Sequence, residues 1–393
     1  MMKSIFFEML CVWMSLIFYS CGGCDSNLST NQQMDETTGS QFALGADIGW
    51  CTEYEAKGYN FYNSQGQKRE CTALMKELGL DAIRIRVWVD PSLHGNWCNL
   101  ADVLEKAKRA KAHNMDVMID FHYSDWWADP GQQHKPVSWK GFELPDLKEA
   151  VRQHTCEVLN ALKQVNVEPK WVQVGNEIRP GLLWDEDARL SGASYDVRYC
   201  DVKGSDNSSI EVQYPANWSN LTSFINIGYE AVKSVFPESV VIVHLDNGWD
   251  AGLFNWFFDE LKKHGGKWDM IGMSVYPFWT QLEKPDYSAD KILLDCIQNI
   301  NALSSKYGCD VMVVEIGMEC ADDQGNLADN SVLQTSRLLL SRFLKLCRTQ
   351  TQGRCKGVFY WEPECRPSQY RLGAFTEDGR ATVIMNAFSE SCN

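Results

Sequence analysis

The sequence predicts an α/β fold, a (β/α)8 TIM barrel with extended βα loops, and three observations favour it. From residue 41 onward, short apolar runs alternate with helical patterns, as expected for parallel strands joined by helices. Eight such strand–helix units fit into roughly 350 residues, the number of units that closes this barrel. Polar and aromatic residues collect just after the apolar runs, where the carboxyl ends of barrel strands would meet. No linker rich in Pro, Gly or Ser interrupts residues 41–393, so they are predicted to form one domain.

Each predicted strand is a short aliphatic run, and most are followed by a segment with helical periodicity. The strands are predicted at residues 42–48, 82–89, 115–121, 170–175, 239–244, 269–275, 310–315 and 357–361. The helices are predicted at residues 66–79, 99–113, 145–166, 215–235, 251–264, 285–307, 330–348 and 381–390. Gly79 marks the end of the first helix, and Pro145 suits the first turn of the third.

The connection at residues 179–214 is too long for an ordinary βα loop and carries Ser, Asp and Gly. We expect it either to extend or cap a cleft at the strand ends, or to be a disordered surface loop. The sequence alone does not choose between these two interpretations.

Two apolar strands each deliver a glutamate at their carboxyl ends, in the runs 171–178 and 311–317. A carboxylate at the mouth of a buried strand is unfavourable unless it is used or paired. Two glutamates facing one cleft are what a glycosidase needs. Because Asn176 could hold a sugar hydroxyl beside the reacting carbon, Glu177 is predicted as the acid/base and Glu315 as the nucleophile. The competing interpretation is that each carboxylate merely favours a helix N-terminus.

Other residues near the strand ends are predicted to assist. Arg84 and Arg86 share one face of their strand and must meet acidic groups or lie near the polar mouth. Arg86 is predicted to keep Glu315 ionised, with Arg84 as the alternative, and Tyr276 is predicted to donate to Glu315. The predicted substrate-binding residues are Asp47, Arg86, Trp88, His122, Trp126, Trp127, Trp139, Asn176, His244, Asp246, Tyr276, Trp279 and Trp361.

The composition narrows the choice of partner. A formal net charge of −15 argues against nucleic acid or an anionic membrane surface and fits a neutral ligand. The chain holds 15 tryptophans, and flat indole faces can stack on sugars, although most indoles are expected in the core. Trp361 is predicted as the floor of the sugar site. At least one of four loop residues is predicted as a stacking platform: Trp126, Trp127, Trp139 and Trp279. We expect a monomer.

The amino-terminal residues predict export. Residues 1–20 carry Lys3, an apolar run and small residues before Cys21, which is typical of a lipoprotein signal peptide. Residues 21–40 are predicted to be a polar tether ahead of the barrel at 41–393. Acylation at Cys21 would anchor the chain to a membrane, at the outer membrane or the cell surface. Without acylation, a periplasmic or secreted protein is expected.

The cysteines and acidic residues do not predict a metal or a disulfide framework. Fifteen cysteines would suggest disulfides in an exported chain, but removing Cys11 and Cys21 leaves an odd number. Cys156, Cys296 and Cys347 lie inside regular elements, so free buried thiols are predicted there. A structural calcium is not supported by the spacing of the candidate oxygen donors Asp322, Asp323, Asn326 and Asp329. No cofactor is expected for the chemistry.

Eight motifs near the predicted strand ends resemble those of one family. The most specific is the run DFHYSDWWADPG at 120–131. The others are GADI at 45–48, RIRVWVDP at 84–91, VGNEI at 174–178, HLDNG at 244–248, SVYPFW at 274–279, VEIG at 314–317 and YWEP at 360–363. Together they resemble the arabinogalactan endo-β-1,4-galactanases of glycoside hydrolase family 53. The resemblance implies a retaining endo-hydrolase of pectic β-1,4-galactan that releases galacto-oligosaccharides, with the same two catalytic glutamates.

Two alternatives remain open from the sequence. An endo-β-mannanase or β-glucanase could use the same barrel and the same pair of glutamates, although the motif at 120–131 argues against it. A non-catalytic, surface glycan-binding lipoprotein would explain the aromatic residues and the lipid anchor. Such a binder would have no use for two glutamates at strand ends.

The first testable prediction concerns export. We expect the mature chain to begin at an acylated Cys21, because a small residue precedes the cysteine after the apolar run. Mass spectrometry of the amino-terminal peptide from the membrane fraction measures this directly, and Cys21→Ala is the matched control that cannot be acylated there. An intact residue 1, or a Cys21 without lipid, would contradict the prediction.

Overall fold

The computed structural model describes residues 42–184 and 218–390, which lie within the unit Gln41–Asn393. Its strands are β1 Ala43–Asp47, β2 Phe61–Tyr62, β3 Lys68–Arg69, β4 Ala82–Val87, β5 Asp116–Phe121, β6 Trp171–Val174, β7 Val240–Leu245, β8 Met270–Val275, β9 Asp310–Ile316 and β10 Cys355–Tyr360. Its α-helices are α1 Cys51–Ala56, α2 Cys71–Glu77, α3 Leu100–Ala112, α4 Leu144–Gln164, α5 Trp218–Val235, α6 Ala251–Lys263, α7 Pro277–Glu283, α8 Ala289–Tyr307, α9 Asn330–Thr349 and α10 Asn386–Glu390.

Eight of these strands close into a parallel barrel in the order β1-β10-β9-β8-β7-β6-β5-β4. The first strand closes the ring, since β1 pairs in parallel with both β4 and β10. The short strands β2 and β3 pair antiparallel in a separate sheet. The predicted (β/α)8 barrel is therefore confirmed.

The lower part of the barrel is filled by inward-facing apolar side chains. These residues are Ala43, Ala82, Met118, Trp171, Ile242, Met270, Met312, Val314 and Phe359. The rings of Trp171 and Phe359 meet edge to face with centroids 5.9 Å apart. A Cβ atom on Gly45 would lie 2.2 Å from the Phe359 ring, so only glycine fits there. Because this layer plugs the barrel, polar groups are confined to its carboxyl end.

The helix boundaries follow capping residues. Asn99 caps α3 through the Asp102 amide, and Ser288 caps α8, which therefore begins four residues later than predicted. The predicted helix at 66–79 is also shorter, because Lys68–Arg69 form strand β3 and the Glu70 side chain caps α2 by accepting from the Thr72 and Ala73 amides. Neither the hairpin nor the short helices α1 and α7 were predicted. Strands of two residues and helices of six or seven residues leave too little periodic pattern in a sequence.

Several predictions fall outside the described part of the chain. These are the signal peptide at 1–20, the tether at 21–40, and nearly all of the 179–214 connection. In residues 42–184 and 218–390, no helix combines the length and apolar character needed to cross a bilayer.

The packing in the lower barrel predicts a large penalty for truncating Phe359. We expect Phe359→Ala to lower the free energy of unfolding by about 3–5 kcal/mol, because the fully buried ring leaves a cavity. Leu338→Ala on α9, where the residue is 59% exposed, is the control and should change it by less than about 0.5 kcal/mol. Urea unfolding measures both variants. Equal losses would show that Phe359 does not fill the barrel floor.

Candidate active site

Backbone irregularities at two strand ends aim the glutamates. In β8 and β9, Met273 is opposite Val313 but Ser274 is opposite Glu315, so β9 contains one extra residue at Val314. This bulge turns Glu315 inward, where strict alternation with Met312 would have pointed it outward. Glu177 follows β6 with a positive φ of 48°. Both carboxyl groups therefore face the same end of the barrel.

The two glutamates share a cavity of about 540 Å³ at the carboxyl ends of the strands. Nine of the residues predicted for catalysis or substrate binding line it: His122, Trp127, Asn176, Glu177, Asp246, Tyr276, Trp279, Glu315 and Trp361. Arg179 also lines the cavity and pairs with Asp246 at 3.1 Å, although it was not among the predicted site residues. Trp50 and Tyr370 complete the aromatic walls and were likewise not predicted.

Glu315 is held by two donors. The Arg84 guanidinium donates to Glu315 Oε1 at 2.8 Å, and the Tyr276 hydroxyl donates to Oε2 at 2.7 Å, as predicted for Tyr276. Burial raises the pKa of Glu315, while Arg84 and Tyr276 oppose that shift by stabilising the carboxylate. The prediction that Arg86 contacts Glu315 is wrong. The alternative, Arg84, is the arginine that contacts it.

Arg86 instead lies in a different environment. It forms a buried ion pair with Glu362, and its guanidinium carbon is 4.2 Å from the Trp127 ring centroid. The rings of Trp50 and Trp88 also surround it, at 5.3 and 5.2 Å. Arg86 does not line the cavity but supports its aromatic wall from behind through cation–π contacts.

Glu177 has a contrasting environment. It is 9% exposed, and the Ser274 hydroxyl donates to its Oε1 at 2.6 Å. Within the described residues, no Lys or Arg forms an ion pair with it. Burial, followed by the charges of Glu315 and Asp246, raises the pKa of Glu177 well above its ordinary value. Because Glu315 receives hydrogen bonds from Arg84 and Tyr276 while Glu177 receives one from Ser274, these contacts favour the ionised form at Glu315 and the protonated form at Glu177.

The two histidines predicted to bind hydroxyls use their ring nitrogens within the protein. His122 accepts from the Ala128 amide at Nδ1, and its Nε2 lies 3.0 Å from Asp120. His244 is fully buried, does not line the cavity, and contacts Gln173 and Ser274. His244 therefore does not lie where the predicted contact with a substrate hydroxyl would require it in this structure.

Of two other residues predicted to bind substrate, one lies below the cavity and one lines it. Asp47 is buried beside Arg84 at 2.9 Å and does not line the cavity. Asn176 lines the cavity, where its Oδ1 accepts from Arg84 at 2.8 Å and its Nδ2 donates to the Ala128 carbonyl. The second hydrogen on that nitrogen is what Asn176 could offer a ligand.

The predicted tryptophans divide into two groups. Trp127, Trp279 and Trp361 line the cavity, and Trp279 is 40% exposed on α7. Trp88 is buried, Trp126 stacks on His94 at 3.9 Å, and Trp139 packs against His154. These last three do not line the cavity, so they lack the position required of a direct sugar ligand there.

The candidate calcium donors and the predicted free thiols all lie within residues 42–184 and 218–390. No group of three or more His, Cys, Asp or Glu side chains in residues 42–184 and 218–390 is arranged to hold a metal. Asp322 instead accepts from the Gln324 and Asn326 amides, which is a polar turn. The predicted thiols of Cys156, Cys296 and Cys347 are free, and Cys156 is only partly buried.

A parallel eight-stranded barrel with two buried glutamates on β9 and just after β6 has the architecture of a glycoside hydrolase. The comparison with known families makes the class specific. The sequence profile of Glycosyl hydrolase family 53 matches residues 43–389, and the chain belongs to this family.

Individual relatives agree with this membership. An arabinogalactan endo-beta-1,4-galactanase of Thermothelomyces thermophilus is 29% identical over 334 residues, covering 81% of this chain and 88% of the relative. A solved fungal beta-1,4-galactanase structure superimposes with a TM-score of 0.71 at 25% identity, covering 88% of this chain and 98% of that one. The family 53 catalytic domain of Ignisphaera aggregans gives 0.74 at 26% identity, covering 90% and 96%.

The contacts of Arg84 and Arg86 predict different pH profiles for their lysine variants. Arg84→Lys loses the guanidinium geometry that holds Glu315, so the pKa of Glu315 should rise. Because the predicted nucleophile must be ionised to react, the acidic limb of kcat/KM should move to higher pH by about one unit. Arg86→Lys is the matched control and should leave that limb in place.

Both variants are measured on the same polysaccharide from pH 3 to 9, with thermal unfolding used to confirm the fold. An acidic limb that moves equally in the two variants would contradict the assignment of Arg84 to Glu315.

Proposed function

We propose that the chain is a retaining endo-hydrolase of β-1,4-linked galactan, the side chain of pectic arabinogalactan. Family 53 membership and the names of its relatives support this substrate. The catalytic assignment is carried by one observation: the two buried glutamates have opposite partners. Glu315 receives hydrogen bonds from Arg84 and Tyr276, whereas Glu177 has Ser274 and acidic neighbours.

In the first step, the ionised Glu315 attacks the anomeric carbon of the sugar on the non-reducing side of the bond. Glu177 gives its proton to the glycosidic oxygen as the carbon–oxygen bond breaks. The products are a covalent glycosyl-enzyme on Glu315, an ionised Glu177 and the released chain end. Tyr276 and Arg84 hold the attacking carboxylate in place.

In the second step, Glu177 acts as a base and removes a proton from water. The water oxygen attacks the same carbon, and the bond to Glu315 breaks, which restores both carboxyl groups to their starting states. Two inversions at one carbon leave the β-configuration unchanged. Two carboxyl groups carry both steps, so the chemistry needs no cofactor.

The cleft is also proposed to bind several galactosyl units, with stacking on at least one loop tryptophan. Trp127 and Trp279 are the candidates favoured by position, because both line the cavity while Trp126 and Trp139 do not. Asp246 and Arg179 offer a charged pair at the same rim for sugar hydroxyls. We further propose an exported monomer, anchored by lipid at Cys21 to the outer membrane or cell surface.

The function predicts unequal losses for the two glutamates. Glu315→Ala should lower turnover of galactan by roughly 10⁴-fold or more, because no glycosyl-enzyme can form. Glu177→Ala should lower it by roughly 10²–10⁴-fold, and this loss should shrink on a substrate with an aryl leaving group that needs no proton. The measurement is the rate of reducing-end release from purified galactan, with mannan and β-glucan run alongside.

A 2-deoxy-2-fluoro galactosyl substrate identifies the nucleophile, since the fluorine slows both steps and an activated leaving group restores the first. The label is expected on Glu315, with a β-configured initial product. A label on Glu177 would reverse the roles, and an α-configured product would mean inversion. Cleavage of mannan or β-glucan but not galactan would favour the alternative hydrolases, and binding without cleavage would favour a glycan-binding protein.

A further inference from the structure

A buried row of hydrogen bonds leads from the barrel interior to Glu177. Gln173 Nε2 lies 3.0 Å from His244 Nδ1, and His244 Nε2 lies 2.8 Å from the Ser274 hydroxyl. Ser274 in turn donates to Glu177 Oε1 at 2.6 Å. Gln173, His244 and Ser274 are all buried at 1% exposure or less, so water does not compete for these bonds.

The contacts of Gln173 determine the direction in which these hydrogen bonds are donated. Its Oε1 accepts from Arg84, which is only a donor, at 3.1 Å. Its Nε2 donates to the Asp120 carboxylate at 2.5 Å, and the pKa of Asp120 is below its ordinary value because Arg84 and His122 outweigh its burial. The amide therefore turns its nitrogen toward His244 Nδ1, and His244 shares the remaining N–H with the Gly175 carbonyl at 3.2 Å.

Two donors face His244 Nδ1, the Gln173 amide nitrogen and the Glu177 backbone N–H, against one acceptor, Asn176 Oδ1 at 3.1 Å, so we assign Nδ1 as the acceptor and Nε2 as the donor. The Glu177 backbone amide, at 3.4 Å, also points its hydrogen at Nδ1. Burial and the nearby Arg84 charge lower the pKa of His244 well below its ordinary value, so the ring is neutral and carries a single proton. With Nδ1 accepting, that proton lies on Nε2 and is donated to Ser274.

The Ser274 hydroxyl is then left with one orientation. It accepts from His244, and its own hydrogen points to Glu177 Oε1. Turning that hydrogen away would leave it without an acceptor in a buried position, which typically costs about 1–3 kcal/mol. Oε1 is thus kept as an acceptor, and a proton on Glu177 can occupy only Oε2.

We propose that Gln173, His244 and Ser274 are positioning residues that hold Glu177 Oε1 as an acceptor and direct the reactive proton to Oε2. This inference rests on the proposed role of Glu177 as the acid/base. It explains why His244, although buried and away from the cavity, occupies a motif at a strand end. Asn176 shares the network through its Oδ1, which accepts from Arg84 at 2.8 Å and lies 3.1 Å from both Gln173 Nε2 and His244 Nδ1.

The hydrogen bond from Ser274 also affects the pKa of Glu177. The charged groups facing Glu177 are acidic on three sides: Glu315 on β9, Asp246 after β7 and Asp129 after β5. Arg179 is paired with Asp246. Ser274 stabilises the ionised carboxylate against these charges, so it lowers the pKa of Glu177 relative to what burial alone would set.

Ser274→Ala tests the proposal in the full chain. Loss of the hydroxyl removes a hydrogen bond to the ionised form, so the pKa of Glu177 should rise. Since Glu177 must be protonated in the first step, the alkaline limb of kcat/KM should move to higher pH by about 0.5–1 unit. Turnover of galactan should fall roughly ten-fold, with a smaller loss on an aryl β-galactobioside that needs no proton.

Two controls separate positioning from packing. Ser239, just before β7, has a similarly buried hydroxyl that donates to the Pro169 carbonyl. Ser239→Ala should therefore leave both the acidic and the alkaline limb of kcat/KM at the pH values of the parent. Ser274→Thr keeps the hydroxyl and should restore the alkaline limb. An unmoved alkaline limb in Ser274→Ala, or equal losses on galactan and the aryl substrate, would overturn the proposal.

Glu177→Gln, measured in parallel, distinguishes this proposal from the proposed function. If Glu177→Gln keeps galactan activity, the acid/base assignment itself has failed. If Glu177→Gln is inactive while Ser274→Ala has the parent pH profile, the assignment stands and only the positioning role is wrong.

Discussion

The site depends on one guanidinium buried inside the barrel. Arg84 contacts three carboxyl groups, Asp47, Asp120 and Glu315, at 2.8–2.9 Å. One cation cannot keep three buried carboxylates ionised, and burial raises the pKa of Asp47 well above its ordinary value while that of Asp120 is lowered. Removing such a cluster from water has a large free-energy cost. We therefore interpret it as a means of positioning Glu315 and favouring its ionised form, and not as a source of fold stability.

The same guanidinium reaches the other glutamate indirectly. Its second nitrogen donates to Gln173 and Asn176, and Gln173 passes the orientation on to His244. Glu315, the proposed nucleophile, is therefore held by direct contact with the cation, while Glu177, the proposed acid/base, is linked to it through neutral groups. This difference in contact favours opposite protonation states for the two glutamates in one cavity.

The sequence predicted the barrel and both glutamates because aliphatic runs and strand-end carboxylates are strong local signals. It could not choose between Arg84 and Arg86, since alternation places both inward, and the choice depends on depth. Arg86 lies two residues, about 6.5 Å, nearer the mouth, where Glu362 from the end of β10 meets it. Ser274 carried no signal, because a serine in a strand is ordinary until its neighbours are known. Gln173, a buried amide within an apolar strand, was a signal that could have been used.

The surroundings of Glu177 also explain why the other cations near the cleft do not ionise it. Arg86 is neutralised by Glu362 and enclosed by three indole rings, and the neighbouring Glu364 has a pKa raised well above its ordinary value by burial and by Glu362. Arg179 at the rim is paired with Asp246. Each of these arginines already contacts its own carboxylate, so its field at Glu177 is largely cancelled. A proton on Glu177, the proposed acid/base, is thus favoured by the distribution of the cations as well as by burial.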